Sequence, residues 1–230
     1  MGRESYRALL SWSSGKDCAW ALHTLRQSGD VKVVGLLTTV NEAYDRVAMH
    51  AVRTSLLNAQ AEAAGLPLWT VSIPSPCSNA QYEEAMGGAM KRAREQGIDA
   101  MAFGDLFLED VRAYREQKLT GSGITPLFPL WGQPTGRLAH TMIDAGVRAH
   151  VTCVDPQQIP PSFAGRLWDR SFLEELPETA DPCGENGEFH TFVSAGPMFQ
   201  TAIPIRTGVI TEREGFVFAD LLLLTPSSTP

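Results

Sequence analysis

The stretch Arg7-Ala8-Leu9-Leu10-Ser11-Trp12-Ser13-Ser14-Gly15-Lys16-Asp17-Cys18 decides the fold. Its first half is a short apolar run of the kind that forms a buried strand. The run breaks at Ser13-Ser14-Gly15. From there Cys18, Ala21, Leu22 and Leu25 fall at i, i+3, i+4 and i+7, the stripe of an amphipathic helix that closes near Gly29. A strand passing straight into a helix is half of a βαβ unit, and the pattern repeats. Residues 31–40 read as a second strand, and Val52, Leu56, Ala59 and Ala63 mark a second helix stopped by Gly65 and Pro67. Residues 68–73 make a third strand. Tyr82, Met86, Ala89 and Ala93 mark a third helix with Asn79 as its N-cap, weakened internally by Gly87-Gly88. Residues 100–104 and 124–128 supply strands on either side of a basic helical segment. Alternation of this length predicts an α/β fold, a parallel sheet with helices on both faces. In such sheets ligands bind at the carboxyl ends of the strands.

The loop 13–18 therefore sits where a ligand is expected. Gly15 permits close backbone approach, Ser13 and Ser14 bring hydroxyls, Lys16 brings a cation, and a helix N-terminus favours anions. Asp17 can hold Mg²⁺ against a polyphosphate, since magnesium pairs a carboxylate with substrate phosphates and water. The loop is not a Walker A sequence, because Leu10 stands where the first glycine belongs and Asp17 follows the lysine.

Two further groups of residues carry chemistry. Gly104-Asp105 closes the fourth strand, and Arg112 and Arg115 follow at i, i+3, spaced to clamp a phosphate or a carboxylate, or to pair with Asp110 and Glu116 on a solvated face. Farther on, Asp181-Pro182-Cys183-Gly184-Glu185-Asn186-Gly187-Glu188-Phe189-His190-Thr191 packs three carboxylates and an imidazole around two glycines. If Glu188 opens a strand, Glu188 and His190 share a face as an acid–base pair; the alternative is a glycine-rich turn with surface charges. His50 is a further candidate for the cleft. Past residue 130 prolines punctuate the chain. A strand at 147–154 and a hairpin of 202–210 with 216–224 give a second, smaller and less regular α/β domain, with a frayed tail from Pro226. The expected domains are 1–130 and 131–230.

A formal net charge of −7 over 230 residues disfavours a nucleic-acid face, although a phosphate site needs only a few aimed groups. Four cysteines without a CxxC pair give no zinc signature and read as reduced thiols. Cys18 at a helix N-terminus has the setting of a depressed pKa, and Cys183 lies beside Glu185 and His190, so a thiol nucleophile is an open alternative. No apolar run approaches the roughly 20 residues of a membrane span, and no signal peptide precedes Tyr6, so a cytoplasmic protein is expected.

Ser13-Ser14-Gly15-Lys16-Asp17-Cys18 resembles the SGGKDS-type PP-loop of ATP pyrophosphatases, with Ser14 in place of glycine and Cys18 in place of serine. The Ser14 change is harmless if the backbone there has an ordinary negative φ. Together with Gly104-Asp105, Arg112, Pro129-Leu130-Trp131 and Gly184-Glu185-Asn186-Gly187-Glu188-Phe189-His190-Thr191, this makes the chain similar to the diphthine–ammonia ligase family and its bacterial relatives over nearly its whole length. The resemblance implies a HUP-type, Rossmann-like domain binding ATP with Mg²⁺ through residues 13–18, with adenine near Thr38, followed by a domain whose GExGE motif holds the substrate. It implies an AMP-forming ligase that adenylates a carboxylate of a small molecule or modified residue and amidates it with ammonia. Lys16 and Asp17 would serve the leaving pyrophosphate, and Glu185, Glu188 and His190 the acceptor or the incoming ammonia. His190 replaces the Glu that ends the motif in diphthine-type members, so the acceptor is read as an unassigned carboxylate. The alternatives are a non-catalytic adenine-nucleotide sensor and an enzyme modifying transfer RNA. A homo-oligomer is compatible with all three.

Overall fold

The computed structural model describes residues 5–41, 46–47, 52–74 and 76–224. The first half runs β1 (Tyr6–Ser11), α1 (Lys16–Ser28), β2 (Val31–Asn41), β3 (Arg46–Val47), α2 (Thr54–Ala64), β4 (Leu68–Ile73), α3 (Asn79–Glu95), β5 (Ala100–Ala102), α4 (Glu109–Leu119) and β6 (Thr125–Leu127). Five of these strands form a parallel sheet in the order β4-β2-β1-β5-β6, and β3 adds an antiparallel pairing at the end of β2. Pro126, which has no N–H to give, sits in the edge strand β6. Successive strand residues point to opposite faces. Accordingly Leu10, Leu36 and Ala102 enter the core beneath α1 and α2, while their neighbours Leu9, Leu37 and Met101 enter a second core with Met90 and Ala93 of α3 and Leu119 of α4. This is the Rossmann-like α/β sheet the sequence predicts.

The second half runs α5 (Thr135–Asp144), β7 (Arg148–Val154), β8 (Leu167–Trp168), α6 (Arg170–Glu175), β9 (Phe189–Ala195), β10 (Ile205–Arg213) and β11 (Phe216–Leu223). All pairings in it are antiparallel, with β7 bonded to β8, β9 and β11, and β10 paired with β11 as the expected hairpin. The second half is thus more regular than the sequence suggests, a five-stranded sheet with two helices. The first of these, α5, hides behind Pro134, which stands at its N-cap rather than breaking it; Leu138, Ala139 and Met142 form its buried stripe. The two halves share one continuous core, from Leu10 and Leu56 to Trp168, Phe172 and Phe192.

One local expectation changes. The N-cap of α3 is Ser78, not Asn79: its hydroxyl accepts from Gln81 N at 3.3 Å while the side-chain Oε1 of Gln81 accepts from Ser78 N at 2.9 Å, a reciprocal capping box. The expected positions of His50 and of the tail from Pro226 lie outside the described residues. At Gly87 and Gly88 an added Cβ would meet no atom within 4 Å, so neither glycine is required by packing inside the helix. Gly88→Ala should raise unfolding stability by about 1 kcal/mol in urea titration; a loss of stability would show that this turn needs glycine's freedom.

Candidate active site

The chain winds outward from β1 through β2 to β4, then crosses back to β5 on the other side of β1. The crevice above the ends of β1 and β5 is therefore the switch point of the sheet. Residues 12–15 and the start of α1 leave β1 there, and Phe103-Gly104-Asp105 leave β5. A Cβ on Gly104 would stand 2.8 Å from both the Asp17 carbonyl carbon and the Cys18 nitrogen, so only glycine lets these segments touch.

Ser14 adopts φ 76°, in the left-handed region. The condition under which its departure from glycine is harmless does not hold, and the non-glycine residue carries strain of roughly 1–3 kcal/mol. Its carbonyl accepts from Gln60 Nε2 at 3.0 Å and from Val193 N at 3.0 Å, which holds the conformation, while its hydroxyl is buried without a partner. Lys16 N donates to Thr191 Oγ1 at 3.1 Å. Strand β9 thus lies directly on the loop.

The crevice is a cleft of about 260 Å³ with three walls: loop 13–18, the Gly104-Asp105 segment with Arg115, and the 183–191 segment. Lys16 is 2% exposed; its ammonium bonds Asp17 Oδ2 at 2.9 Å and the Cys183 carbonyl, and lies 5.5 and 5.4 Å from the Trp168 and Phe189 rings. Burial by itself would depress this lysine, but Asp17 and the other acidic groups nearby overcome it and hold the pKa above the usual value, so the ammonium stays charged. Asp17 Oδ1 is buried without a partner. An oxygen donor with spare capacity on the cleft wall fits a hard cation, which takes carboxylate together with phosphate and water oxygens.

Arg115 forms a forked pair with Asp105, at 2.5 and 3.1 Å, and stacks 4.5 Å from the Phe103 ring. Arg112 does not join it. It bonds Glu116 at 2.8 Å and stacks on Phe128 and Trp131, so the expected two-arginine clamp is a single arginine. The reason is competition between carboxylates: Glu116, four residues on, takes the Arg112 guanidinium as an i,i+4 pair, while Asp105 takes Arg115.

Across the cleft, Glu185 Oε1 accepts from Leu106 N at 2.7 Å, and burial pushes its carboxyl up to about 7, assisted by the charges of Asp17 and Asp105. His190 lines the same wall, and burial followed by the Lys16 charge lowers its pKa to about 4, leaving it neutral at pH 7. Glu188 is 1% exposed and lies beneath this wall: Oε1 accepts from Asp181 N at 2.7 Å and Asn186 Nδ2 at 3.1 Å, while Oε2 is buried without a partner. Asp181 Oδ2 in turn accepts from the Cys183 and Glu185 amides at 3.2 and 3.0 Å. The two carboxylates brace the turn that presents Glu185.

The thiols are not activated. Burial raises Cys18 to about 11, outweighing its place at a helix start, and raises Cys183 further still. Cys18 Sγ bonds Gly15 O at 3.1 Å, closing the first turn of α1. Thr38 is buried beside a second cavity of about 130 Å³, which shares Ser13, Phe103 and Arg115 with the cleft. Gln60 is a site-shaping residue the sequence reading passes over. It is fully buried, accepts from Trp12 Nε1 at 2.8 Å, and donates to both Ser14 O and Val193 O. Its signal was a glutamine four residues after Leu56 on an otherwise apolar helix face.

A Rossmann-like sheet with this loop at its switch point defines an α/β protein with a polar crevice at the carboxyl ends of its strands. Residues 6–126 match the diphthamide synthase N-terminal domain and residues 134–220 the diphthamide synthase C-terminal domain, and the chain belongs to that family. It is also 25% identical over 213 residues to a diphthine–ammonia ligase of Danio rerio, covering 84% of each chain.

The Glu185 shift has a pH signature. The folded protein keeps a proton that the unfolded chain releases near the ordinary 4.5, so this group's stabilising contribution is present below that value and is lost as pH rises through about 7. His190 acts with the opposite sign, losing its contribution as pH falls from its ordinary 6.5 toward about 4. The difference in melting temperature between wild type and Glu185→Gln should therefore change in favour of the variant as pH rises from about 5 to 8; a constant difference would contradict the raised carboxyl.

Proposed function

We propose that the protein is an ATP-dependent, AMP-forming ligase that activates a carboxylate and joins it to ammonia; the name of its Danio rerio relative, diphthine–ammonia ligase, supports a ligase that uses ammonia. The observation that carries this reading is a carboxyl group at about 7, Glu185, facing the anion-binding loop across one cleft. A group near neutrality can take and return a proton during acyl transfer, a capacity that nucleotide binding alone does not call for.

In this reading the nucleotide's phosphates lie against Ser13, Gly15 and the first turn of α1, with the base in the cavity beside Thr38. The buried Lys16 ammonium supplies positive potential from behind the loop while anchoring it to the Cys183 carbonyl. Asp17 would hold Mg²⁺, which neutralises charge on the departing pyrophosphate. Arg115, with its orientation fixed by Asp105, faces the acceptor carboxylate. The carboxylate oxygen attacks the α-phosphorus, the bond to the β-phosphate oxygen breaks, and pyrophosphate leaves with that electron pair. Ammonia then attacks the acyl carbon; the carbon–nitrogen bond forms, the carbon–oxygen bond to AMP breaks, and the proton shed by nitrogen passes to Glu185. His190, neutral at pH 7, offers a hydrogen bond without a competing charge. Glu188 acts through the turn it braces. The chain divides in function so that residues 1–130 hold the nucleotide and present Arg115, and residues 131–230 bring Glu185 and His190 to the reacting end of the substrate.

The test is product analysis with ATP, Mg²⁺, ammonium and a panel of carboxylic acids. AMP and pyrophosphate should form only when an acceptor acid is present; ADP and phosphate would refute the mechanism.

A further inference from the structure

Helices lying side by side on a sheet normally close against each other at 8–10 Å, and interiors leave few voids larger than a water molecule. Yet α3 and α4 enclose a groove of about 440 Å³. Its lining is apolar along the middle, with Met86, Met90, Met101 and Leu119, and methionine suits walls that must adapt to an occupant. At one end Phe103 and Arg115 line the groove, the cleft and the cavity beside Thr38 alike, so the three spaces meet at those two side chains. Toward the other end lie Lys91 and Arg94, neither of which forms an ion pair among the described residues. Lys118 is different, because Glu83 takes it at 2.6 Å and ties α4 to α3 across the mouth. Gly87 also lines the groove, and its missing side chain, unexplained by helix packing, leaves the mouth clear.

We propose that this groove binds the body of the acceptor: an apolar carboxylic acid, chain-like or aromatic, that carries a second anionic group. The reacting carboxylate lies at Arg115, the apolar middle lies between the methionines, and the distal anion meets Lys91 and Arg94. The identity of the occupant as acceptor rests on the ligase reading; the existence of a site for an apolar anion does not. The polar cleft and the small cavity beside it accommodate the nucleotide, which leaves this groove as the space in contact with both that no part of ATP requires.

Two fluorescent probes test the site on the full chain: 8-anilinonaphthalene-1-sulfonate, apolar and anionic, and N-phenyl-1-naphthylamine, a neutral analogue. Wild type should bind the anionic probe at least tenfold more tightly than the neutral one. The doubly exchanged variant Lys91→Glu, Arg94→Glu, altered only at exposed positions, should lose that preference, and Met90→Trp should exclude both probes. Mg-ATP affinity by calorimetry should change less than twofold in either variant. Equal affinity for the two probes, or an unaltered preference in the charge-reversed variant, overturns the proposal. So does loss of Mg-ATP binding in the variants, which would give the groove to the nucleotide. Wild type that binds the probes as expected but not Mg-ATP would refute the ligase reading and leave the apolar-anion site standing.

Discussion

The loop that begins α1 cannot hold its shape alone. Ser14 sits at a backbone angle that disfavours its own side chain, and the groups that keep it there come from elsewhere: Gln60 on α2 and Val193 on β9 donate to its carbonyl, while Thr191 Oγ1 accepts from the Lys16 amide. Buried backbone groups left unpaired cost roughly 1–3 kcal/mol each, so separating β9 from the loop would be expensive at several points at once. The same contacts cover an edge of β9 that would otherwise be open to stray pairing. The shape of the loop is thus a product of both halves of the chain, although its sequence lies wholly in the first.

The buried lysine follows the same logic. A charged ammonium at 2% exposure persists only with partners, and here the Asp17 carboxylate, the Cys183 carbonyl and two aromatic faces surround it. One of these is next in sequence and the others belong to the second half. Its charge also reaches His190, where it helps keep the imidazole neutral, and acts on Glu185 against the burial that raises that carboxyl. A single cation therefore links the loop, the covering turn and the protonation of Glu185 and His190 on the cleft wall. Glycines make the approach possible: Gly104 lets the end of β5 touch α1, and Gly184, at φ 69° with the Phe189 carbonyl 2.8 Å from any added Cβ, lets the covering turn fold back on β9.

Much of this was legible in the sequence because it is local. The strand–helix alternation of the first half follows from periodicity, and the loop 13–18 from its residue types and position, so the sheet and its crevice could be read directly. What escaped reading is tertiary. The glycine that Ser14 replaces raises the question of a positive φ, but the bonds that enforce it come from residues 60 and 193 and nothing near Ser14 names them. Arg112 and Arg115 look equivalent until Glu116 and Asp105 divide them. Cys18 has the sequence setting of an activated thiol, but its burial decides the opposite. Helix α5 was masked by prolines whose positions, at its start rather than inside it, permit a helix. Gly87 of α3 looked like a weakness in a helix and acquires a meaning only beside a groove that α4 completes.

The central claim is that the loop and β9 form one site, so a ligand on the loop must be felt on the strand. Residue-resolved hydrogen exchange with and without Mg-ATP measures this directly, through the Lys16 and Val193 amides that cross between them. Mg-ATP should slow both amides together, and with them the 189–191 segment. Protection confined to residues 13–18, with Val193 exchanging at its unliganded rate, would contradict the account.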